Sequence, residues 1–199
     1  MAKKKNIPEK KGKNYLQYLV PALIIFASLV IFNPSMNNGF LLGWDDTEYL
    51  THEDVIDFNA SNIFSDYHLG MYQPLAVISL AMNYAAAQES PGAYHATNLF
   101  LHIINIFLIW LFILLLSKKR LVAGIVAFLF ALHPMNVEPV AWISARSTLL
   151  FTAFYLGGLI TYLRYTENKK PLYFGLTVAL GLAAFFTKSL AISLSLIHI

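Results

Sequence analysis

The stretch that decides the fold is residues 94–120, YHATNLFLHIINIFLIWLFILLLSKKR. Its apolar part, residues 94–116, reaches the length of about 20 mostly apolar residues that a helix needs to cross a bilayer. The whole chain is 57% apolar and only 13% charged, whereas ordinary soluble domains carry about 25% charged residues. One soluble core could not bury so much apolar surface. The sequence therefore predicts an all-α, polytopic helical membrane protein.

Further apolar runs on both sides of this stretch predict about five transmembrane helices. The first run follows a lysine-rich start and exceeds the about 7–15 apolar residues of a cleaved signal peptide, so we expect an uncleaved anchor. The run at residues 74–87 is too short to span and suits a helix that lies at the interface or re-enters it. The predicted spans are residues 15–32, 94–116, 119–133, 140–164 and 172–192, with a large outer loop at 33–93.

The charge distribution predicts the orientation. If the lysine-rich tail at 1–14 is cytoplasmic, 12 of the 14 Lys and Arg residues fall inside and nine of the 11 acidic residues fall outside. That is the asymmetry expected of multi-pass proteins. We therefore predict a basic cytoplasmic tail followed by a membrane domain at 15–199, with membrane lipids and no nucleic acid as partners. The lysine-rich sequence without cysteine favours a bacterial plasma membrane over the endoplasmic reticulum.

The adjacent carboxylates Asp45 and Asp46 are the candidate catalytic residues. They follow the first span closely, in the acidic outer loop. Neighbouring carboxylates raise one another's proton affinity, so one of the two can act as a general base. The alternative is a solvated acidic loop in which Trp44 is an interfacial anchor.

A polar stripe marks the start of the second span. His95, Asn98, His102 and Asn105 are separated by 3, 4 and 3 positions, which places them on one face of a helix. Such a face contacts other helices through hydrogen bonds or lines a ligand pocket. A metal site is not expected on this stripe, because two histidines seven residues apart cannot easily chelate one ion. No cofactor is predicted, and the sequence leaves a requirement for a divalent metal open.

Two cations lie near the predicted outer ends of later spans. Glu138, Trp142 and Arg146 share a face if one helix includes all three. Arg146 can then stack on Trp142 or bind a phosphate or carboxylate. Lys188 is either a second cation beside it or a side chain that snorkels to the interface.

These polar groups favour an enzyme over two other classes of membrane protein. A base and two cations suit a transferase whose donor is a lipid phosphate, since cations neutralise the departing phosphate. A transporter is the first alternative, but its charges are expected near the midplane, on broken helices. A non-catalytic membrane scaffold is the second alternative.

Five stretches, in order, resemble one known family. The sequence is similar to the membrane domain of GT-C glycosyltransferases related to protein O-mannosyltransferases. It is most similar to the type that carries tetratricopeptide repeats after the membrane part, which includes cadherin-directed O-mannosyltransferases and prokaryotic relatives. The stretches are GFLLGWDDTEYL at 39–50, MYQPLAVISLAMNY at 71–84, YHATNLFLHIINIFL at 94–108, HPMNVEPVAWISARSTLLFTAFYL at 133–156 and FFTKSLA at 185–191.

The resemblance implies a GT-C architecture and a transfer reaction. A sugar, with mannose as the expected one, would pass from a polyprenyl-phosphate donor to a Ser or Thr hydroxyl of a protein acceptor, with inversion. Asp45 or Asp46 matches the catalytic acidic motif. His102, Glu138, Arg146 and Lys188 match positions expected to contact donor phosphate or acceptor; His95 and Asn98 join them as candidate substrate contacts.

The end of the chain departs from the family pattern. The resemblance predicts further spans and then a repeat domain, and residues 193–199, SLSLIHI, do not continue the pattern. We therefore expect the chain to be the N-terminal part of a longer protein and to be inactive alone.

Overall fold

The computed structural model describes residues 16–189, of which residues 16–18 by backbone alone. Within this part the elements are helices, together with one isolated bridge between His68 and Met71. The predicted all-α class is confirmed. The basic tail at 1–14, Tyr15 and the predicted end of the fifth span beyond Ser189 lie outside the described residues.

Ten α-helices and two 3-10 turns follow one another in the described chain. The 3-10 turns are Asn33–Asn37 and Pro134–Asn136. The helices are α1 Leu16–Phe32, α2 Asp45–Thr51, α3 Glu53–Ile56, α4 Ala60–Ser65, α5 Pro74–Ala87, α6 Pro91–Ser117, α7 Arg120–Ala131, α8 Val137–Ala141, α9 Arg146–Asn168 and α10 Pro171–Phe185.

Local chemistry explains where several of these helices begin and end. Pro74, Pro91 and Pro171 occupy first helical positions, where the missing N–H costs nothing and the fixed φ suits the helix. Lys118 and Lys169 follow α6 and α9 in the left-handed conformation, with φ of 56° and 54°. Each thereby satisfies a carbonyl of the last turn.

Judged by their length and composition, fewer helices of the structure can span a membrane than the sequence predicted. Two helical segments of the described chain, Leu19–Asn37 and Pro91–Ser117, are long and apolar enough to cross a membrane. A third is possible if α7 and the following segment Pro134–Ala141, bent by 55°, form one span. The structure therefore supports two or three spans and does not support the predicted count of about five.

Two helix boundaries differ from the predicted spans. The predicted span 140–164 is broken, because α8 ends at Ala141 and α9 begins only at Arg146. The predicted span 172–192 ends early, at Phe185. The 15 residues of α10 extend about 22 Å at 1.5 Å per residue, which is short of the about 30 Å hydrocarbon core of a bilayer.

Small residues bring the long helices together. Ala123, Ala127 and Ala131 are fully buried on one face of α7, against α1 and α6. This spacing of small residues lets helix backbones approach closely in a membrane. On the outside, large apolar side chains of α1 such as Phe26 and Val30 are 64% and 58% exposed. An apolar exterior around a small-residue interior fits a membrane protein.

The helices alternate in direction and define two ends, which we call the basic end and the loop end. At the basic end, Lys118 after α6 pairs with Glu167 of α9 at 3.2 Å. This ammonium holds the pKa of Glu167 below its usual value. At the loop end, helices α2–α5 pack against the start of α6. The backbone N–H of Leu75 in α5 donates to the carbonyl of Phe186 after α10, at 3.1 Å.

Candidate active site

The carboxylate of Asp46 joins the acidic loop to the break between α8 and α9. Asp46 lies in the first turn of α2 and is 2% exposed. Its Oδ2 accepts the backbone N–H of Leu41 at 3.0 Å, and its Oδ1 accepts the backbone N–H of Ser144 at 3.0 Å and the Ser144 hydroxyl. Both oxygens are therefore occupied by contacts that fix the loop on the bundle.

Asp45 has quite different surroundings from its neighbour. Its side chain is half-buried, and it accepts no hydrogen bond from the described residues. It lies one helical turn before Tyr49, close enough for its negative charge to affect the pKa of the phenol. Burial raises the pKa of Tyr49 well above its ordinary value, and the charge of Asp45 adds to the rise. The phenol therefore stays neutral beside Asp45, and its oxygen accepts the amide N–H of Gln73.

Arg146 is fully buried at the first position of α9 and uses neutral acceptors from two other helices. Its Nε donates to Asn98 Oδ1 at 2.8 Å, and one terminal nitrogen donates to the Tyr94 carbonyl at 3.1 Å. The other terminal nitrogen donates to the Ser79 carbonyl at 3.0 Å and to the Asn83 side chain. The predicted stacking on Trp142 is wrong: the guanidinium lies 5.6 Å from the Tyr94 ring instead.

The polar stripe on α6 is buried, as its spacing predicts, and contacts other helices. Asn98 donates to the carbonyl of Trp142 at 3.1 Å, in the break after α8. His102 Nε2 lies 3.1 Å from the Ala131 carbonyl, and Asn105 donates to the Leu149 carbonyl at 2.9 Å. The carbonyls of Trp142 and Ala131 lie at the C-terminal ends of α8 and α7, where intrahelical partners are missing. For these three residues the structure favours interhelical hydrogen bonding over a ligand pocket.

His95 differs from the other members of the stripe. It is 1% exposed, and neither ring nitrogen forms a hydrogen bond of good geometry within the described chain. The backbone of Asn38 and Gly39 lies nearby, and both Asp46 and Arg146 are within electrostatic range of the ring. A buried imidazole without such bonds is uncommon, and it sets His95 apart from the rest of the stripe.

The remaining predicted residues are Glu138 and Lys188. Glu138 is exposed on α8, and its carboxylate forms no hydrogen bond or ion pair among the described residues. It does not share a helix with Arg146, because α8 ends at Ala141 and α9 begins at Arg146. Lys188 follows α10, is half-buried, and donates to the hydroxyl of Thr148 at 2.9 Å. Because Thr148 is in the first turn of α9, the Lys188 ammonium lies near the N-terminal end of α9, where Arg146 is the first residue.

The sequence did not reveal the groups that hold the acidic loop and Arg146 in place. Ser144 clamps Asp46 across 98 positions of sequence, and Ser79 and Asn83 bind Arg146 from α5. Ser79 and Asn83 are spaced by four on α5, a polar pair within an otherwise apolar run. That spacing is a usable signal, whereas Ser144 carries none.

Geometry and fold define the class of this molecule first: a helical membrane protein with a carboxylate pair, an unpartnered imidazole and a cation at one end. Comparison with known proteins then shows what the chain is similar to. The chain is 30% identical over 178 residues, 83% of its length, to protein O-mannosyl-transferase Tmtc1 of Drosophila melanogaster. It is 28% identical over 82% of its length to TMTC1 of Mus musculus, and 33% identical over 50% to TMTC3 of the same species. The predicted resemblance is confirmed: this chain is a relative of the TMTC-like protein O-mannosyl-transferases.

The chain spans about a fifth or less of the length of these curated relatives: 20%, 18% and 10%, respectively. No protein-family model matches the chain. No solved structure matches it.

Proposed function

We propose that this chain forms part of the membrane domain of a GT-C-type glycosyltransferase. The enzyme transfers a sugar, with mannose as the expected one, from a polyprenyl-phosphate donor to a Ser or Thr hydroxyl of a protein. The relatives' names support sugar transfer to protein. The observation that carries the proposal is the division between the two carboxylates: Asp46 is tied to Ser144, while Asp45 beside it has no hydrogen-bond partner within the described chain.

Asp45 is the general base in this proposal. A base must be free to accept a proton from the acceptor hydroxyl, and the engaged oxygens of Asp46 are poorly placed for that task. The acceptor oxygen attacks the anomeric carbon as its proton moves to Asp45. The bond from that carbon to the phosphate oxygen breaks, and the polyprenyl phosphate leaves. Asp46 is a positioning residue, because its bonds to Leu41 and Ser144 hold the first turn of α2 in place.

Lys188 is the candidate contact for the departing phosphate. An ammonium has three donors, and one of them is used on Thr148. Arg146 is a less direct candidate, since its guanidinium is buried and occupied by Asn98, Tyr94 and α5. Its positive charge still favours a negative group nearby, because neutral acceptors solvate that charge without cancelling it.

The membrane arrangement is part of the same proposal. We infer five membrane-associated segments, α1, α6, α7 with α8, α9 and α10, with the basic end in the cytoplasm and the loop end on the opposite face. The ion pair between Lys118 and Glu167 supports this arrangement. It joins the basic turn after α6 to the end of α9, and the charge distribution predicts both of these on the cytoplasmic side. The matched relatives come from animals, so they give no support to a bacterial plasma membrane over the endoplasmic reticulum.

A donor comparison tests the proposed reaction. Membranes containing the full-length parent protein receive radiolabelled mannose either as polyprenyl-phosphate mannose or as a nucleotide sugar, with a protein acceptor present. Detergent extracts without the parent protein provide the control. We expect label on the acceptor from the lipid-linked donor, released by the β-elimination that cleaves sugars from Ser and Thr. Transfer from the nucleotide sugar in purified enzyme would overturn the lipid-donor assignment, and no transfer from several lipid-linked sugars would favour a scaffold or transporter.

A further inference from the structure

Three side chains of the acidic loop that have no role in the proposed function lie close together. His52 precedes α3, Asp54 lies in its first turn, and His68 lies in the turn before α5. His68 Nε2 lies 3.2 Å from Asp54 Oδ2, and His52 Nδ1 lies 3.6 Å from the same oxygen. The two imidazole rings are 4.6 Å apart, centre to centre.

We propose that His52, Asp54 and His68 bind a zinc-class transition-metal ion. One ligand atom from each residue lies within 4.8 Å of the others. Ligands bound tetrahedrally at about 2.0–2.1 Å from zinc are about 3.3 Å apart, which matches both carboxylate–imidazole separations. Two imidazoles with one carboxylate suit zinc and its neighbours rather than magnesium or calcium, which prefer oxygen ligands.

Burial makes this cluster different from a solvated acidic patch. The Asp54 side chain is 7% exposed and that of His68 is 1% exposed. No lysine or arginine of the described chain pairs with Asp54. A buried carboxylate without a cation is costly, and a bound metal ion supplies the missing positive charge.

Two of the three ligands are held by rigid backbone. His68 and Met71 exchange backbone hydrogen bonds of 3.0 and 2.9 Å around Leu69 and Gly70, whose φ values of 53° and 71° form a tight hairpin turn. Val55, next to Asp54, is buried in the hydrophobic cluster that includes α5. His52 is the adjustable ligand: its Nδ1 accepts the backbone N–H of Asp54 at 3.3 Å. Because its side chain is 37% exposed, the ring can rotate to give up this bond and present Nδ1 to the ion.

The ion would fasten α3 to the hairpin that leads into α5. The segment between Asp54 and His68 includes α4, so the metal would join the two ends of this segment. Gln73, just beyond the hairpin, donates to Tyr49 of α2. A metal here would therefore act as a structural clamp on the loop that carries Asp45, with a fourth position open to water.

Cobalt binding provides the test, since Co²⁺ replaces Zn²⁺ and absorbs visible light when tetrahedral. The purified chain, carrying no polyhistidine tag and treated with chelator, is titrated with Co²⁺ in detergent. We expect one equivalent to bind with tetrahedral absorption, to be displaced by Zn²⁺ and not by excess Mg²⁺. Zn²⁺ should also raise the unfolding temperature, because a ligand that binds only the folded state stabilises it.

The matched control is His133. Its Nδ1 accepts the backbone N–H of Met135 at 3.2 Å, just as His52 Nδ1 accepts that of Asp54 at 3.3 Å, but it belongs to no such cluster. His52→Ala and His68→Asn should weaken Co²⁺ binding by at least about 10–100-fold, the loss seen when only an outer-shell partner is removed. His133→Ala should bind like wild type. Helical circular dichroism confirms that each variant is folded.

Three results would overturn the proposal. The first is a folded wild-type chain that binds no Co²⁺. The second is a folded His52→Ala chain that binds Co²⁺ as tightly as wild type. The third is displacement of Co²⁺ by Mg²⁺ at equal concentration, which would assign the site to a different class of ion.

Discussion

At the scale of single residues, the carboxylate of Asp46 accepts hydrogen bonds from Leu41 and Ser144, while that of Asp45 is half-buried and free of such bonds within the described chain. The pair is visible in the sequence, but the division of roles is not, because Ser144 lies 98 positions away. A long-range contact of this kind depends on how α8 and α9 are joined.

Arg146 predicts a measurable loss of stability. Lysine keeps the positive charge but cannot reach Asn98, Tyr94 and α5 together, because it lacks the planar fork of arginine. Arg146→Lys should therefore lower the free energy of unfolding by roughly 2–4 kcal/mol, since buried acceptors lose their donors. Unfolding in mixed detergent micelles measures the effect. Arg164→Lys, at an exposed arginine near the basic end, is the control and should remain within about 0.5 kcal/mol of wild type.

Lys188 predicts a defect in catalysis rather than in folding. Lys188→Gln keeps a donor for Thr148 but removes the charge that the proposed function assigns to the leaving phosphate. In the full-length enzyme kcat/KM for the lipid-linked donor should fall by about 100-fold or more, as for the loss of one transition-state donor. Lys119→Gln in the turn at the basic end is the control. Equal activity of wild type and Lys188→Gln would remove Lys188 from the phosphate site.

At the scale of elements, periodicity predicted which face of α6 is buried, but it did not predict where a helix is interrupted. The 3, 4, 3 spacing of the α6 stripe correctly predicted a face turned away from lipid, since all four members are at most 1% exposed. The continuous helix from 140 to 164 was wrong, because the chain turns at residues 142–145 to let Asp46 bind Ser144. Apolar composition alone gives no sign of such a turn, because residues 142–145, WISA, include no glycine, proline or charged residue.

The close contact between α9 and α10 predicts a size limit at Gly157. A Cβ at this position would lie 3.3 Å from Leu180 Cδ1, closer than ordinary packing allows. Nearby, the hydroxyls of Thr161 and Thr177 lie 3.0 Å apart across the same interface. Gly157→Leu should destabilise the folded chain by about 1–3 kcal/mol, the usual cost of overpacking, measured by unfolding in mixed micelles.

Gly175 supplies the matched control for this prediction. It lies on α10 with nothing within 4 Å of an added Cβ. Gly175→Leu introduces the same side chain into a helix without the clash, and leucine favours the helix by up to about 1 kcal/mol over glycine. If both variants were equally stable, α9 and α10 would not be packed as described.

At the scale of the whole molecule, charge asymmetry predicted which loops lie together. The basic turn after α6 and the end of α9 meet through Lys118 and Glu167, as a common side requires. The number of spans was the weaker prediction, because a run of apolar residues does not reveal whether a helix continues through it. The count changes at the short α10, at the bend of 55° after α7 and at α9, which is long enough to span but is not among the candidate spans.

Cysteine labelling tests the two-sided arrangement, and the chain's lack of cysteine makes every introduced thiol unique. Lys119→Cys and Asn168→Cys, at the basic end, should react with a membrane-impermeant reagent only after permeabilisation. Asn59→Cys and Glu138→Cys, at the loop end, should react from the opposite side. Labelling of Lys119→Cys and Glu138→Cys from the same side would contradict the proposed crossing by α7.

The most direct test of the account compares Asp45→Asn with Asp46→Asn in the full-length parent, at matched expression, by transfer of radiolabelled mannose from its polyprenyl-phosphate donor. Asp45→Asn should reduce transfer by roughly 100-fold or more, as expected for a lost general base, and leave the unfolding transition unchanged. Asp46→Asn should lower stability, since the clamp on Ser144 weakens. Wild-type transfer by Asp45→Asn would contradict the assignment of Asp45 as the base.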